Sequence, residues 1–204
     1  MLNTKLLSLN LNRFYFNTSK STIMLENLMN LVRKYAGDGI NNNSAIPNDK
    51  NEQAVQSAGS SIMSTLQNAL SGGRISDVLS YFKNGDQTDH PIVNEAATNY
   101  AQDLQKNLGL NPQDAQDAAN KVIPQTMNQL ASQTADPSNK SFNIQDIFNK
   151  LSGGKTGSMD IQGMLNKFGG GKLDQDHDGD VDLQDLKAMF SGGDILGKVK
   201  GLFS

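Results

Sequence analysis

Asp174, Asp176 and Asp178 alternate along an acidic run of the sequence, Asp174-Gln175-Asp176-His177-Asp178-Gly179-Asp180-Val181-Asp182-Leu183-Gln184-Asp185. Carboxylates at alternate positions of a tightly turning backbone can be brought round to a common centre, where their oxygens suit a hard cation such as calcium. Gly179 permits the sharp turn after the third carboxylate, Asp180 offers its backbone carbonyl, and Asp182 stands where a ligand usually acts through a water. With no cation between them, clustered carboxylates repel one another. A bare surface turn therefore explains this composition poorly.

Position by position the run follows the calcium loop of an EF-hand, with one departure. The twelfth residue, where a bidentate Glu is normal, is Asp185, one methylene shorter. Such a side chain either binds through one oxygen or draws the helix start inward, which lowers coordination and eases competition by magnesium. The expected affinity is weak to moderate, roughly 10⁻⁵ to 10⁻³ M. Upstream, Gly169-Gly170-Gly171 occupies the last turn of any entering helix, and each helical Gly costs about 1 kcal/mol relative to Ala. The arrangement therefore resembles the loop-plus-one-helix of dockerin repeats more than a full helix-loop-helix, although the chain has one such loop. The expected ligands are Asp174, Asp176, Asp178, Asp180, Asp182 and Asp185, and the expected cofactor is a calcium ion.

Other residues with chemical capacity lack that context. His177 falls at the fourth loop position, which points outward. His90 stands before Pro91 in a turn, with no base, nucleophile and orienting group gathered around it in sequence. Met127, Met159, Met164 and Met189 read as core filler rather than as a Met-lined groove for a target. The chain has 0 Cys, which excludes disulfides, a thiol nucleophile and a thiolate zinc site. The Gly-Gly pairs lack the Lys-Ser or Lys-Thr of a phosphate-binding loop. No enzymatic activity is expected.

The elements that must position the loop belong to a repeat. Phe142-Asn143-Ile144-Gln145-Asp146-Ile147-Phe148-Asn149-Lys150-Leu151-Ser152-Gly153-Gly154-Lys155 returns from Met159 to Lys172 and again from Val181 to Asp194. Each unit is an apolar anchor, an Asn or Asp N-cap, a short helix and a Gly pair as C-cap. The interval before the third unit is longer by five residues, which make room for Asp174, Asp176 and Asp178. Asp182 and Asp185 match Asn143 and Asp146 of the first unit, so capping alone accounts for them. Only the inserted aspartates need a cation. A fainter helix, from Asp194 to Phe203, follows.

Before the repeat, apolar stripes at helical spacing predict an all-α body. They comprise Leu25, Leu28, Leu31 and Val32, stopped by Gly37-Asp38-Gly39; Val55, Ala58, Ile62, Leu66 and Ala69, ended by Gly72-Gly73; and Ile75, Val78, Leu79 and Phe82, closed by Asn84-Gly85. Ala97, Tyr100, Ala101 and Leu104 follow, ending at Gly109. Asn111-Pro112 then starts a helix carrying Ala115, Ala118, Ala119, Val122, Ile123, Met127, Leu130 and Ala131, with a kink expected at Pro124. The expected architecture is a bundle of short helices. Residues 24 to 135 form its body, and residues 136 to 204 form the Gly-Gly-punctuated repeats with the loop at 174 to 185.

Hydrophobic residues make up 36% of the 204-residue chain, which has no Trp, so small side chains must do much of the packing. Net charge is -3, giving no basic field for nucleic acid or anionic lipid. No run reaches the ~18 apolar residues of a membrane span. The apolar stretch at Leu6 to Leu11 is interrupted by Asn10, Asn12 and Arg13 and lacks a convincing cleavage site, which favours the cytoplasm. Residues 1 to 23 are expected to be disordered, or an extension ahead of a start at Met24.

Leu108-Gly109-Leu110-Asn111-Pro112-Gln113-Asp114-Ala115, Ile123-Pro124-Gln125-Thr126-Met127 and the Gly-Gly-punctuated helices after Pro137 resemble the bacterial YidB-like family of uncharacterised domains. The resemblance spans roughly residues 24 to 195. It implies a helical fold, sometimes followed by an Asp-x-Asp-x-Asp-Gly loop, and it carries no catalytic residues onto this sequence. The expected function is calcium binding without catalysis. The alternative is a protein-interaction or self-assembly module whose tail calcium merely stabilises.

Overall fold

The computed structural model describes residues 25–168 apart from Asp86, Gln87, Pro137, Lys155, Ser158 and Met159. The expected N-terminal extension, the third repeat unit and the helix after Asp194 lie outside the described residues. Those that are described form α-helices and short 3-10 and π turns, as the all-α reading requires.

The first helix, α1, covers 25–35, and its core-facing stripe begins at Leu28 and continues through Leu31 and Val32. Leu25, expected in that stripe, is 40% exposed. The glycines that follow do not simply stop the helix. From Gly37 to Asn41 it widens into one π turn, with the Ala36 carbonyl accepting from both Ile40 and Asn41 amides at 2.7 and 3.1 Å. The wide turn buries Gly39 and Ile40 against the helix that carries Val122.

After a 3-10 turn at Asn48–Lys50 come α2 (Asn51–Ser71), α3 (Ile75–Asn84), α4 (Pro91–Leu108) and α5 (Pro112–Ala135). Every residue of the predicted stripes in these helices is buried. The expectation of short helices is corrected here: α2, α4 and α5 have 21, 18 and 24 residues. Alanine accounts for the difference. It has the best helix propensity, and Ala54, Ala58, Ala69, Ala96, Ala97, Ala101, Ala115, Ala118, Ala119 and Ala131 are buried, so the long helices can approach closely. α5 continues through Pro124, whose missing N–H leaves only the carbonyl of exposed Asn120 to water.

The ends follow from local chemistry. Asn111 accepts the Asp114 amide at 2.9 Å and Pro112 takes the first helical position of α5. Gly109, at φ 75°, ends α4 in the left-handed conformation that glycine adopts without strain.

α4 packs along α2 and α5, and α3 contacts α2, α5 and α7 (Ile161–Phe168). A polar seam sets the register of α2 against α4. Asp103 accepts from the Ser57 and Ser61 hydroxyls at 3.2 and 3.3 Å, Asn99 donates to Thr65 Oγ1 at 2.9 Å, and Arg74 pairs with Glu95 at 2.8 Å. Numbers rise along one helix as they fall along the other, so the two are antiparallel and sliding by a turn would strand several polar groups at once. α6 (Ile144–Leu151) rests on α2 and α7, and Phe142, Ile144, Ile147, Phe148, Leu151, Ile161, Met164 and Leu165 join the same core as the body helices.

Candidate functional site

The repeat begins with a cap. Asn143 has extended backbone and its side chain accepts from the amides of Gln145 and Asp146 at 2.9 and 3.3 Å, so α6 starts where the pattern places it. Asp146 lies in the first turn, where a carboxylate favours the positive end of the helix. Ile144, Ile147, Phe148 and Leu151 are buried, with the Phe148 ring 6.4 Å from that of Phe82 in α3. Gly153 and Gly154, at φ 66° and 89°, end the unit, and the Gly153 amide donates to Lys150 O at 3.0 Å.

The second unit repeats the start with a variation. Asp160 Oδ1 accepts the Gly163 amide at 2.8 Å, capping α7. Gly163 stands where the first unit has Asp146 and the third has Asp185. A Cβ on it would collide with the Asp160 carboxylate. The connection between units is held by side chains: Ser152 Oγ accepts from the Thr156 amide at 3.1 Å, while Gln145 bonds the Thr156 carbonyl and the Ile161 amide at 3.2 and 3.0 Å. Sequence reasoning missed the role of Gln145, because a Gln in a first helical turn ordinarily reads as a solvated residue.

The expected calcium ligands Asp174, Asp176, Asp178, Asp180, Asp182 and Asp185 lie outside the described residues, as do His177 and Met189. Among the described residues, no three His, Cys, Asp or Glu side chains stand together as a metal site. Met127 and Met164 are buried in the core, as expected of filler.

His90 proves to be a helix cap rather than a bare turn residue. Its Nδ1 accepts from the Ile92 amide at 3.3 Å, its Nε2 lies 3.2 Å from Ser80 Oγ, and its ring packs 5.3 Å from that of Tyr81. An amide can only donate, so Nδ1 is the bare nitrogen and Nε2 carries the proton. That tautomer donates to Ser80, whose own proton goes to the Asp77 carbonyl at 3.1 Å. The pair therefore cannot act as base and nucleophile in this state. Burial pushes the imidazole pKa below its ordinary value, against an opposing pull from the Asp77 carboxylate.

Tyr100, in α4, places its hydroxyl in the core with no hydrogen-bond partner among the described residues, and burial pushes its pKa up, so it stays neutral. Among the described residues, no helix is long and apolar enough to cross a membrane. The chain matches no protein-family model, curated protein or solved structure with which it was compared.

Proposed function

We propose that this chain is a non-enzymatic calcium-binding protein that holds one ion in the loop from Asp174 to Asp185. The observation that carries the reading is the loop sequence itself: alternating Asp174, Asp176 and Asp178, then Gly179, with a helix-starting pattern at Asp182. The capping of α6 by Asn143 and of α7 by Asp160 supports the third unit's pattern as another helix start, led by Asp182. In this reading Asp174, Asp176 and Asp178 supply the converging carboxylates and Asp180 its carbonyl. Asp182 acts through water, and Asp185 closes the site from the first turn of the following helix. The calcium would join the inserted loop to that helix. We also place the chain with the YidB-like domains, on the Leu108 to Ala115 and Ile123 to Met127 motifs.

Calorimetric titration of calcium into the full chain and into the double variant Asp174→Ala, Asp178→Ala tests the reading. One site in the parent chain and none in the variant is the expected result, because two of the converging carboxylates vanish. Equal binding by both would remove the loop assignment. Sedimentation with calcium and with chelator separates simple binding from calcium-driven assembly, and a monomer in both is expected.

A further inference from the structure

The sequence contains a single Asn-Gly step, Asn84-Gly85. Such a pair carries its own chemistry. With no side chain on the second residue, the backbone nitrogen of Gly85 can swing against the side-chain carbonyl carbon of Asn84 with little hindrance. Asn84 is the last residue of α3 and is exposed. Among the described residues none holds its side chain in a hydrogen bond, so the amide is free to turn. Gly85 sits at φ 68° and ψ -119°, a conformation that side-chain-bearing residues avoid, although a Cβ there would meet nothing. The turn therefore requires the glycine, while the cap makes no use of the asparagine amide.

One contact restrains the pair. The Gly85 amide donates to the Tyr81 carbonyl at 3.1 Å, which keeps that nitrogen protonated and pinned in the helical turn. Tyr81 and Phe82 are buried, but Lys83 and Asn84 lie outside the core. Opening the last turn breaks terminal hydrogen bonds without moving core side chains, and fraying of that kind lies at the low end of the free-energy scale.

We propose that Asn84 is a site of spontaneous deamidation, reached by fraying of α3. In the open turn a solvent base takes the proton of the Gly85 amide, and the nitrogen's electron pair attacks Asn84 Cγ. The N–Cγ bond forms, the Cγ–Nδ2 bond breaks, and the side-chain nitrogen takes a proton from water and leaves as ammonia. Water then opens the cyclic imide at either carbonyl, giving aspartate or its β-linked isomer. Water is consumed, ammonia is released, and nothing is oxidised or reduced. Both products place a carboxylate at the negative end of α3, where the helix dipole disfavours it. The β-linked isomer also lengthens the main chain by a methylene. This turn seats the Tyr81 ring against His90 and the Phe82 ring against Phe148 of α6, at 5.3 and 6.4 Å. Deamidation thus loosens, irreversibly, the joint between the helical body and the first repeat unit.

The test is peptide mapping by mass spectrometry of the full chain held in mildly alkaline buffer, native and in urea, beside Asn84→Gln. The peptide containing Asn84 is expected to gain the mass difference between a hydroxyl and an amino group ahead of the other asparagines. Conversion should be faster at higher pH and faster again in urea, where the Gly85 amide is released from Tyr81. It should be lost in Asn84→Gln, since glutamine must close a larger ring. An Asn84 that stays intact while other asparagines convert overturns the site, and equal rates in the native and unfolded chain overturn the restraint by Tyr81. Asn84→Asp, a stable copy of one product, is expected to unfold about 1 to 4 °C below the parent, with Asn84→Gln within about 1 °C of it. An unchanged midpoint in Asn84→Asp overturns the loosening of α3.

Discussion

In the proposed calcium loop, Asp185 would serve both the ion and the start of the following helix. Its counterpart Asp146 sits in the first turn of α6, where a carboxylate favours the positive end of the helix, so a short acid at this place suits a helix start by itself. A longer acid would suit the ion better. Asp185→Glu is expected to tighten calcium and raise its preference over magnesium by restoring bidentate reach. Parallel titrations with the two ions check this, and an unchanged ratio would count against single-oxygen ligation by Asp185. His90 carries a second prediction at this scale. Its folded pKa lies below that of the unfolded imidazole, so the unfolded chain binds more protons as pH falls. The cap's contribution, about 1 kcal/mol, is complete above the unfolded value and declines as pH falls through the lower folded one. Urea midpoints at about pH 7.5 and about pH 5.5 should fall further for the parent chain than for His90→Asn, which caps without titrating. Parallel losses in the two proteins would show that the cap does not sense protons.

At the scale of elements, two glycines mark where helices approach most closely. A Cβ at Gly39 would run into Val122 Cγ2 and meet Lys121 Cβ at 3.3 Å, with α5 as backing. A Cβ at Gly59 would meet Met29 Sδ at 2.7 Å, but that is the far end of a flexible side chain. Gly39→Ala is therefore expected to cost about 1 to 3 kcal/mol by overpacking, whereas Gly59→Ala should be close to neutral, because its helix propensity gain of about 1 kcal/mol offsets the shift of Met29. Chemical denaturation of both checks the contrast, and equal losses would contradict it. The stripes, the Asn111-Pro112 start and the Gly109 stop were legible in sequence because they depend on residues within a turn or two of one another. The π turn was not, since what widens it is the fit of Gly39 and Ile40 against α5, far along the chain. The helix ends at Gly72-Gly73 and Gly109 were legible too, but the overall description as short helices did not fit α2, α4 and α5, because alanine-rich segments look poor in core material until close packing makes the small side chain an advantage. The polar seam left a trace, Ser57, Ser61 and Thr65 recurring along the apolar stripe of α2, but its partners Asp103 and Asn99 follow only from how α4 lies against it.

For the whole molecule, the proposed metal loop rests on the sequence alone, where six acids fall within twelve residues. What the fold adds is the frame: α6 and α7 share the core of α2 and α3, so the repeat leading to the loop is anchored rather than appended. The central claim is that calcium joins the loop to the third repeat helix and leaves that anchored body unchanged. Short helices gain little stability by themselves, and an ion bound only by the folded loop adds about 2.7 kcal/mol at a hundredfold excess over Kd. Hydrogen exchange followed by mass spectrometry, with calcium and with chelator, tests this most directly. Exchange should slow between roughly residues 172 and 190 on adding calcium, while residues 25 to 131 keep their rates. Unchanged exchange across 172 to 190 at saturating calcium would contradict the account.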